Sequence, residues 1–348
     1  MKIETERILG QNHILRHFEN AIRMGKISHA YIINGEEGSG KMNLAIHFAK
    51  ALQCERNNSN KAINEDGERI TVPGTACGQC KSCKQTDSKN QPDIKYITYE
   101  KSGIGVDEIR EQINDDIDIK PYSSPYKIYI VPESEKMTVQ AQNALLKTIE
   151  EPPEYAIIIL LTTNADTFLQ TILSRCVMLN IRPVKEDIIK NQLTSQYGVG
   201  DYEARVAATF SNGNPGKAIK LATSEEFKEL KQYVVGMFMS LEKGGMDIIG
   251  EAIKKTGTFK KQIDEYFSLM RIWFRDILVY KATKEEDQII FQDEYMTIEK
   301  MSQTYSFDDI NDILKAIDLA ESRIKSNVNF DSTIEILLLS IKEKTSGK

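Results

Sequence analysis

Four cysteines have the types and spacing to hold a metal. Cys77, Cys80 and Cys83 stand as C-x-x-C-x-x-C, and Cys54 lies upstream at the end of a helical repeat. Four thiolates close a tetrahedral zinc site, and with every position filled by protein none is left to activate water, so a Zn2+ ion there is structural. A redox pair or an iron–sulfur centre uses similar spacing and stays open as the alternative. A second pattern, Gly35-Glu36-Glu37-Gly38-Ser39-Gly40-Lys41, fits G-x-x-x-x-G-K. In such a loop, glycines let backbone amides surround a phosphate while the lysine and a helix N-terminus supply positive potential.

The metal-holding half of that chemistry is missing. Met42 follows Lys41 where a hydroxyl would hold magnesium, and a thioether is a poor ligand for a hard cation. The acidic residue expected at the end of a hydrophobic strand is replaced by Pro132, with Glu133 after it. No Mg2+ site is expected, and phosphoryl transfer leans on that ion to neutralise charge. A general base at Glu133 alone contributes only about 100- to 10,000-fold, so hydrolysis should be negligible. Weak ATP or ADP binding by Gly35, Gly38, Gly40 and Lys41, or an empty structural turn, both fit the loop.

The elements that must position these groups alternate through the first half. Tyr31–Ile33, Ile94–Tyr99, Lys127–Val131, Ala156–Leu161 and Val177–Ile181 read as short apolar strands. Leu44, Ala45, Phe48, Ala49 and Leu52 repeat at helical spacing after the glycine loop, and Val106, Ile109, Ile113 and Ile117 share a second helical face. A third helix covers Thr138–Glu150, and Pro152-Pro153 ends it before the last core strand. Strand, helix, strand in this order predicts an α/β fold with a parallel sheet. Beyond Pro183 the strand signal disappears. Short helices around the turn Asn212-Gly213-Asn214-Pro215-Gly216 predict a small helical module, and longer amphipathic helices follow from about Ser224. The final helix, near Ser332–Lys344, is apolar nearly all round, which predicts burial against a partner or within a bundle.

Composition bounds the rest. A chain of 348 residues exceeds the size of one usual hydrophobic core, which predicts two or three domains. The formal charge of −6 is the wrong sign for gripping a phosphate backbone over the whole surface, so contact with nucleic acid would be local or shared. The longest apolar run, Ala156–Leu161, is far too short to span a bilayer, and the charged start of the chain lacks a secretory signal, so a cytoplasmic protein without membrane contact is expected.

Several ordered segments then converge. Ile8-Leu9-Gly10-Gln11, His29-Ala30-Tyr31, the cysteine module, Asn143-Ala144-Leu145-Leu146-Lys147-Thr148-Ile149-Glu150-Glu151-Pro152-Pro153 and Thr171-Ile172-Leu173-Ser174-Arg175-Cys176 resemble the bacterial clamp-loader AAA+ family over about the first 220 residues. The resemblance implies an AAA+ P-loop-type module over 1–182 with a zinc module at about 54–84, a helical lid over 183–223 and an all-helical collar over 224–348. It implies a ring-like assembly that helps load a sliding clamp onto primed DNA, with gamma/tau and delta subunits as partners. Arg175 would act in trans as an arginine finger at a neighbouring gamma/tau ATP site. Thr162 matches the sensor-1 position and Lys217 the sensor-2 turn, where the family often carries arginine. Met42 and Pro132 set the chain apart from ATP-hydrolysing gamma/tau relatives, which would show Ser or Thr and Asp there. The alternatives are a gamma/tau-like motor subunit, and a stand-alone zinc-containing DNA-binding protein. The latter would rest on Lys81 and Lys84 with no aromatic residue between Cys77 and Cys83.

Overall fold

The computed structural model describes residues 8–58, 74–100, 103–243 and 247–346; the sequence-based expectations for the chain start and for most of the polar stretch between Cys54 and Cys77 lie outside them. Contacts divide the chain into two compact units. One comprises Met1–Asn191 with Ser211–Ala218, and the other Gln192–Phe210 with Ile219–Lys348.

The first unit is α/β, the class expected from the alternation. Its strands are β1 (Ala30–Asn34), β2 (Ile94–Tyr96), β3 (Lys127–Val131), β4 (Ala156–Thr162) and β5 (Val177–Asn180), and they form one sheet in the order β2-β3-β4-β1-β5 with every pairing parallel. A parallel sheet is covered on both faces, so its strands must be apolar on both. Ile157, Ile159 and Leu161 of β4 join Ile33 and Ile130 in one core, while Ala156, Ile158 and Leu160 join Ile32 and Val131 in the other. That two-sided burial is why the strands read as continuous hydrophobic runs.

Register then sets the site. Asn34 at the end of β1 lies opposite Thr162 of β4 and Asn180 of β5. Three polar residues thus stand together at the carboxyl edge, where chain crossovers leave a crevice in parallel sheets. The helix Lys41–Gln53 returns from this edge, burying Leu44, Ala45, Phe48, Ala49 and Leu52 against the sheet.

The second unit is helical throughout its described residues. Trp273 and Phe274, on the helix Ile263–Thr283, pack with Phe238, Phe291 and Tyr305 in an aromatic core. Asp276, on the same helix, is fully buried and accepts the backbone N–H groups of Ile290 and Phe291 at 2.7 and 2.8 Å, which pins the segment that follows. In the terminal helix Phe330–Ser346, Ile334, Leu337, Leu338 and Ile341 are buried, so the bundle itself covers most of the apolar surface; Ile336 stays exposed. No helix among the described residues is long and apolar enough to cross a membrane.

Candidate metal centre and phosphate loop

Cys54 caps the carboxyl end of the helix Lys41–Gln53. Cys77 and Cys80 lie in the turn before the short helix Lys81–Asp87, and Cys83 lies within it. All four sulfurs fall within 4.8 Å of one another, and Cys77 Sγ is 4.0 Å from Cys83 Sγ. Zinc–sulfur bonds of about 2.3 Å place tetrahedral sulfurs roughly 3.8 Å apart, so a small contraction fits them to a metal ion. Amides already point at the sulfurs: Cys77 N–H donates to Cys54 Sγ at 3.3 Å, Cys80 N–H to Cys77 Sγ at 3.3 Å and Cys83 N–H to Cys80 Sγ at 3.4 Å. Such bonds favour thiolate. The amides of Gln79 and Cys80 hold the Cys77 thiol down at about 6, whereas burial pushes the Cys83 thiol up.

The module is also tied to the body of the unit. Lys50, on the loop helix, donates to both carboxylate oxygens of Asp87 at 2.5 and 2.7 Å, with the lysine almost wholly buried. Asn57 Nδ2 donates to the carbonyls of Ala51 and Thr75, while its Oδ1 accepts Gly74 N–H. The two ends of the polar stretch therefore meet at one side chain.

The phosphate loop joins β1 to the helix Lys41–Gln53, with Gly38 and Gly40 at φ +79° and +94°. Lys41 Nζ donates to the carbonyls of Gly35 and Glu36 at 2.5 and 2.8 Å. Burial lowers its pKa, and the carboxylates of Glu135, Glu37, Glu36 and Glu133 oppose that shift. One ammonium is thus set among four carboxylates, a poor field for a polyphosphate. Glu133 has left-handed backbone, φ +47°, and accepts Tyr99 OH and Lys136 Nζ, which lower its pKa. Burial disfavours ionised Glu135, but bonds from Thr163, with Oγ1 at 2.7 Å, outweigh it and its pKa is lowered. Met42 packs against the sheet core.

The loop is closed from above by the turn at 211–218. Asn214 caps the helix Pro215–Thr223 by accepting Lys217 N–H at 3.1 Å, and its Nδ2 donates to Glu37 O at 2.7 Å. Gly216 N–H donates to Gly38 O at 3.1 Å, and a Cβ on Gly216 would stand 2.5 Å from that oxygen. A cavity of about 270 Å3 remains beside the loop, lined by Asn34, Ser39, Asn180, Arg182 and Asn214 among others. Gly213 makes the closing turn: its φ is +80°, and a Cβ would lie 2.6 Å from Pro183 Cβ and 2.9 Å from Val184 N. Gly213→Ala should therefore cost at least about 1 kcal/mol, read as a lower urea midpoint at unchanged slope.

The remaining sequence-derived positions divide. Thr162 is buried, and its hydroxyl is spent on its own turn, donating to Asn164 O at 2.9 Å and accepting Asn164 N–H at 3.1 Å. Arg175 lies between the helix Gln170–Leu173 and β5. Its guanidinium donates to Thr171 O at 3.0 Å and pairs with Glu150 Oε1 at 3.0 Å, both side chains being about two-fifths exposed, 41% and 44%. Burial pushes the neighbouring Cys176 thiol up to about 12. Glu36 and Glu37 lie in the loop itself and Glu133 was named beside it from the sequence, whereas Glu135, the Asn214 clamp and the Arg175–Glu150 pair had no sequence signal, because each joins separate segments of the chain.

A family described as DNA polymerase III, delta subunit, matches residues 10–185, and one described as DNA polymerase III, delta subunit, C terminal, matches residues 250–343. The DNA polymerase III subunit delta' of Bacillus subtilis (strain 168) is 26% identical over 337 residues, covering 96% of this chain and 96% of that protein. The DNA polymerase III subunit tau of the same organism is 34% identical over 221 residues, which is 62% of this chain but 36% of tau. Among solved structures, a DNA polymerase III gamma subunit-related protein from Thermotoga maritima covers 95% of this chain and 99% of its own at 20% identity, with a TM-score of 0.40.

Proposed function

This chain belongs to the DNA polymerase III delta subunit family and is a clamp-loader subunit of the delta-prime type; from that premise we propose that it serves the loader without hydrolysing ATP itself. In this reading residues 1–182 form the nucleotide-fold module, 183–223 a lid and 224–348 a collar that meets gamma/tau and delta subunits. The cysteine cluster holds one structural zinc ion. The phosphate loop is retained as a turn, and Arg175 is presented to the ATP site of an adjacent gamma/tau subunit. Through the assembly the chain acts on the sliding clamp and primed DNA in the cytoplasm.

The observation that carries the non-hydrolysing role is the state of the loop. Lys41 is bonded to its own loop carbonyls and lies in the field of the Glu135, Glu37, Glu36 and Glu133 carboxylates, while Met42 and Pro132 stand at the positions that would hold magnesium. Arg175 supports the other half of the role. An ion pair this exposed is worth about 0–1 kcal/mol, so exchanging Glu150 for a phosphate oxygen costs little, and a guanidinium forks onto two such oxygens.

The test uses the purified chain with ATP and magnesium, alone and then reconstituted with gamma/tau, delta, clamp and primed DNA. Alone it releases no phosphate above background, and Lys41→Ala changes nothing. In the mixture it is required for full clamp loading. Phosphate release by the isolated chain that Lys41→Ala abolishes would make it a motor subunit instead.

A further inference from the structure

We propose that a groove in the helical unit docks an amphipathic helical segment of a partner protein, one whose apolar stripe is flanked by lysine or arginine. The groove has a volume of about 770 Å3, within the range of ligand-binding clefts. Its floor is apolar, made by Val206, Ala207, Leu221, Phe227, Val235 and Met239. One wall is the helix Glu225–Lys243, which faces the groove with Lys228, Lys231, Gln232, Val235, Gly236 and Met239. That spacing of three and four is a single helical stripe, roughly 16 Å long, the length of about three turns of a second helix. Gly236 leaves the wall bare: a Cβ there would meet nothing within 4 Å.

The polar groups at the groove choose the sign of the occupant. Lys231 donates to Tyr202 Oη at 2.6 Å and to Asp293 Oδ2 at 2.9 Å, and Tyr202 donates to Asp293, so this lysine is already matched by a carboxylate. Lys228 is matched by Glu225 at 2.6 Å. Glu294 and Glu203 remain. The Glu294 carboxylate is partly buried in the groove and accepts no hydrogen bond among the described residues, and Glu203 is exposed at the mouth. Burial, and then the charge of Asp293, push the Glu294 carboxyl above its ordinary range, against the opposing charge of Lys231. An incoming ammonium or guanidinium offsets the charge of Asp293 and favours ionised Glu294, whereas a phosphate would add a like charge beside Glu203, Asp293 and Glu294, so the groove favours a cationic over an anionic flank. Apolar floor, helix-length wall and acidic mouth together match the groove-binding mode of an amphipathic basic helix.

The experiment titrates the full chain, by fluorescence anisotropy, with two labelled synthetic helices that share one leucine stripe and differ only in lysine or glutamate flanks. The lysine-flanked helix binds at least about tenfold more tightly, and the Glu203→Gln/Glu294→Gln double variant removes that preference. Gly236→Trp fills the groove and abolishes binding while thermal unfolding is unchanged, since the position is open. Equal binding of the two helices, or binding that survives Gly236→Trp, overturns the proposal. So does binding of 4-phenylbutylamine when neither helix binds, because the groove would then be a small-amine site.

Discussion

In the proposed role, replacing Arg175 with alanine should leave the assembly with gamma/tau and delta intact and lower ATP turnover at the adjacent site by about 1,000-fold. The size follows from where charge develops. As the γ-phosphoryl group leaves, negative charge spreads over its oxygens, and a permanently protonated guanidinium placed there stabilises the transition state more than the ground state. Arg175 is free to do this because its bond to Glu150 is half in solvent and weak. Arg175→Lys keeps the charge and loses the planar fork, so it recovers only part of the rate. Glu150→Gln, by contrast, changes turnover well under tenfold, since that carboxylate competes for the arginine only in the resting subunit. Phosphate release measured in single turnover separates the adjacent site from the others, and gel filtration checks assembly. Unchanged release with Arg175→Ala removes the residue from the mechanism. Loss of assembly would instead make it an interface residue.

How far such a site is legible in sequence depends on whether its signal is local. β4 could be read residue by residue because a central parallel strand is buried on both faces, which demands an unbroken apolar run. The phosphate loop was legible for the same kind of reason: glycines and one lysine at fixed spacing lie between a strand and a helix. The cysteine set crosses a long polar stretch, yet it was legible because only five cysteines occur in the chain and three of them are crowded together. The helix Asn12–Met24 turns Ile14, Phe18, Ala21 and Ile22 inward at helical spacing, a signal that the sequence does carry and that the strand-and-loop reading passed over. The surroundings of Lys41 were legible in part: Glu36 and Glu37 stand in the loop itself and Glu133 follows the strand end where an acidic residue is expected, but Glu135 gave no signal. Glu133 and Glu135 reach it only because β3 and β1 flank the same strand, β4, and the strand order is a property of the folded sheet. The closure by Asn214 and Gly216 depends likewise on a turn some 180 residues away in the chain, Asn214 lying 177 residues from Glu37.

The second large effect concerns the metal. The purified chain should carry about one zinc ion, and Cys80→Ser/Cys83→Ser should lose it, whereas Cys176→Ser retains it. Structural zinc contributes about 10–16 kcal/mol in isolated zinc-finger peptides, where nothing else holds the fold. Here the loss must be smaller, because Lys50–Asp87 and the Asn57 bonds hold the two ends of the module from the protein side. Those ties act on the two ends of the module, at Gly74–Thr75 and at Asp87, however, and not on the turn at Cys77–Cys80, whose own bonds run from amide to sulfur. Stripping the metal should therefore open the segment 74–88 to trypsin at Lys81 and Lys84 before the sheet unfolds. Acid should do the same by protonating ligands. The ligands must be thiolates, so metal retained at neutral pH is released as falling pH lets protons compete for the four sulfurs. Elemental analysis at each pH, alongside tryptic mapping, reads both. Iron in place of zinc would establish the iron–sulfur alternative, and a metal-free chain with intact protection over 74–88 would show that the four sulfurs need no ion.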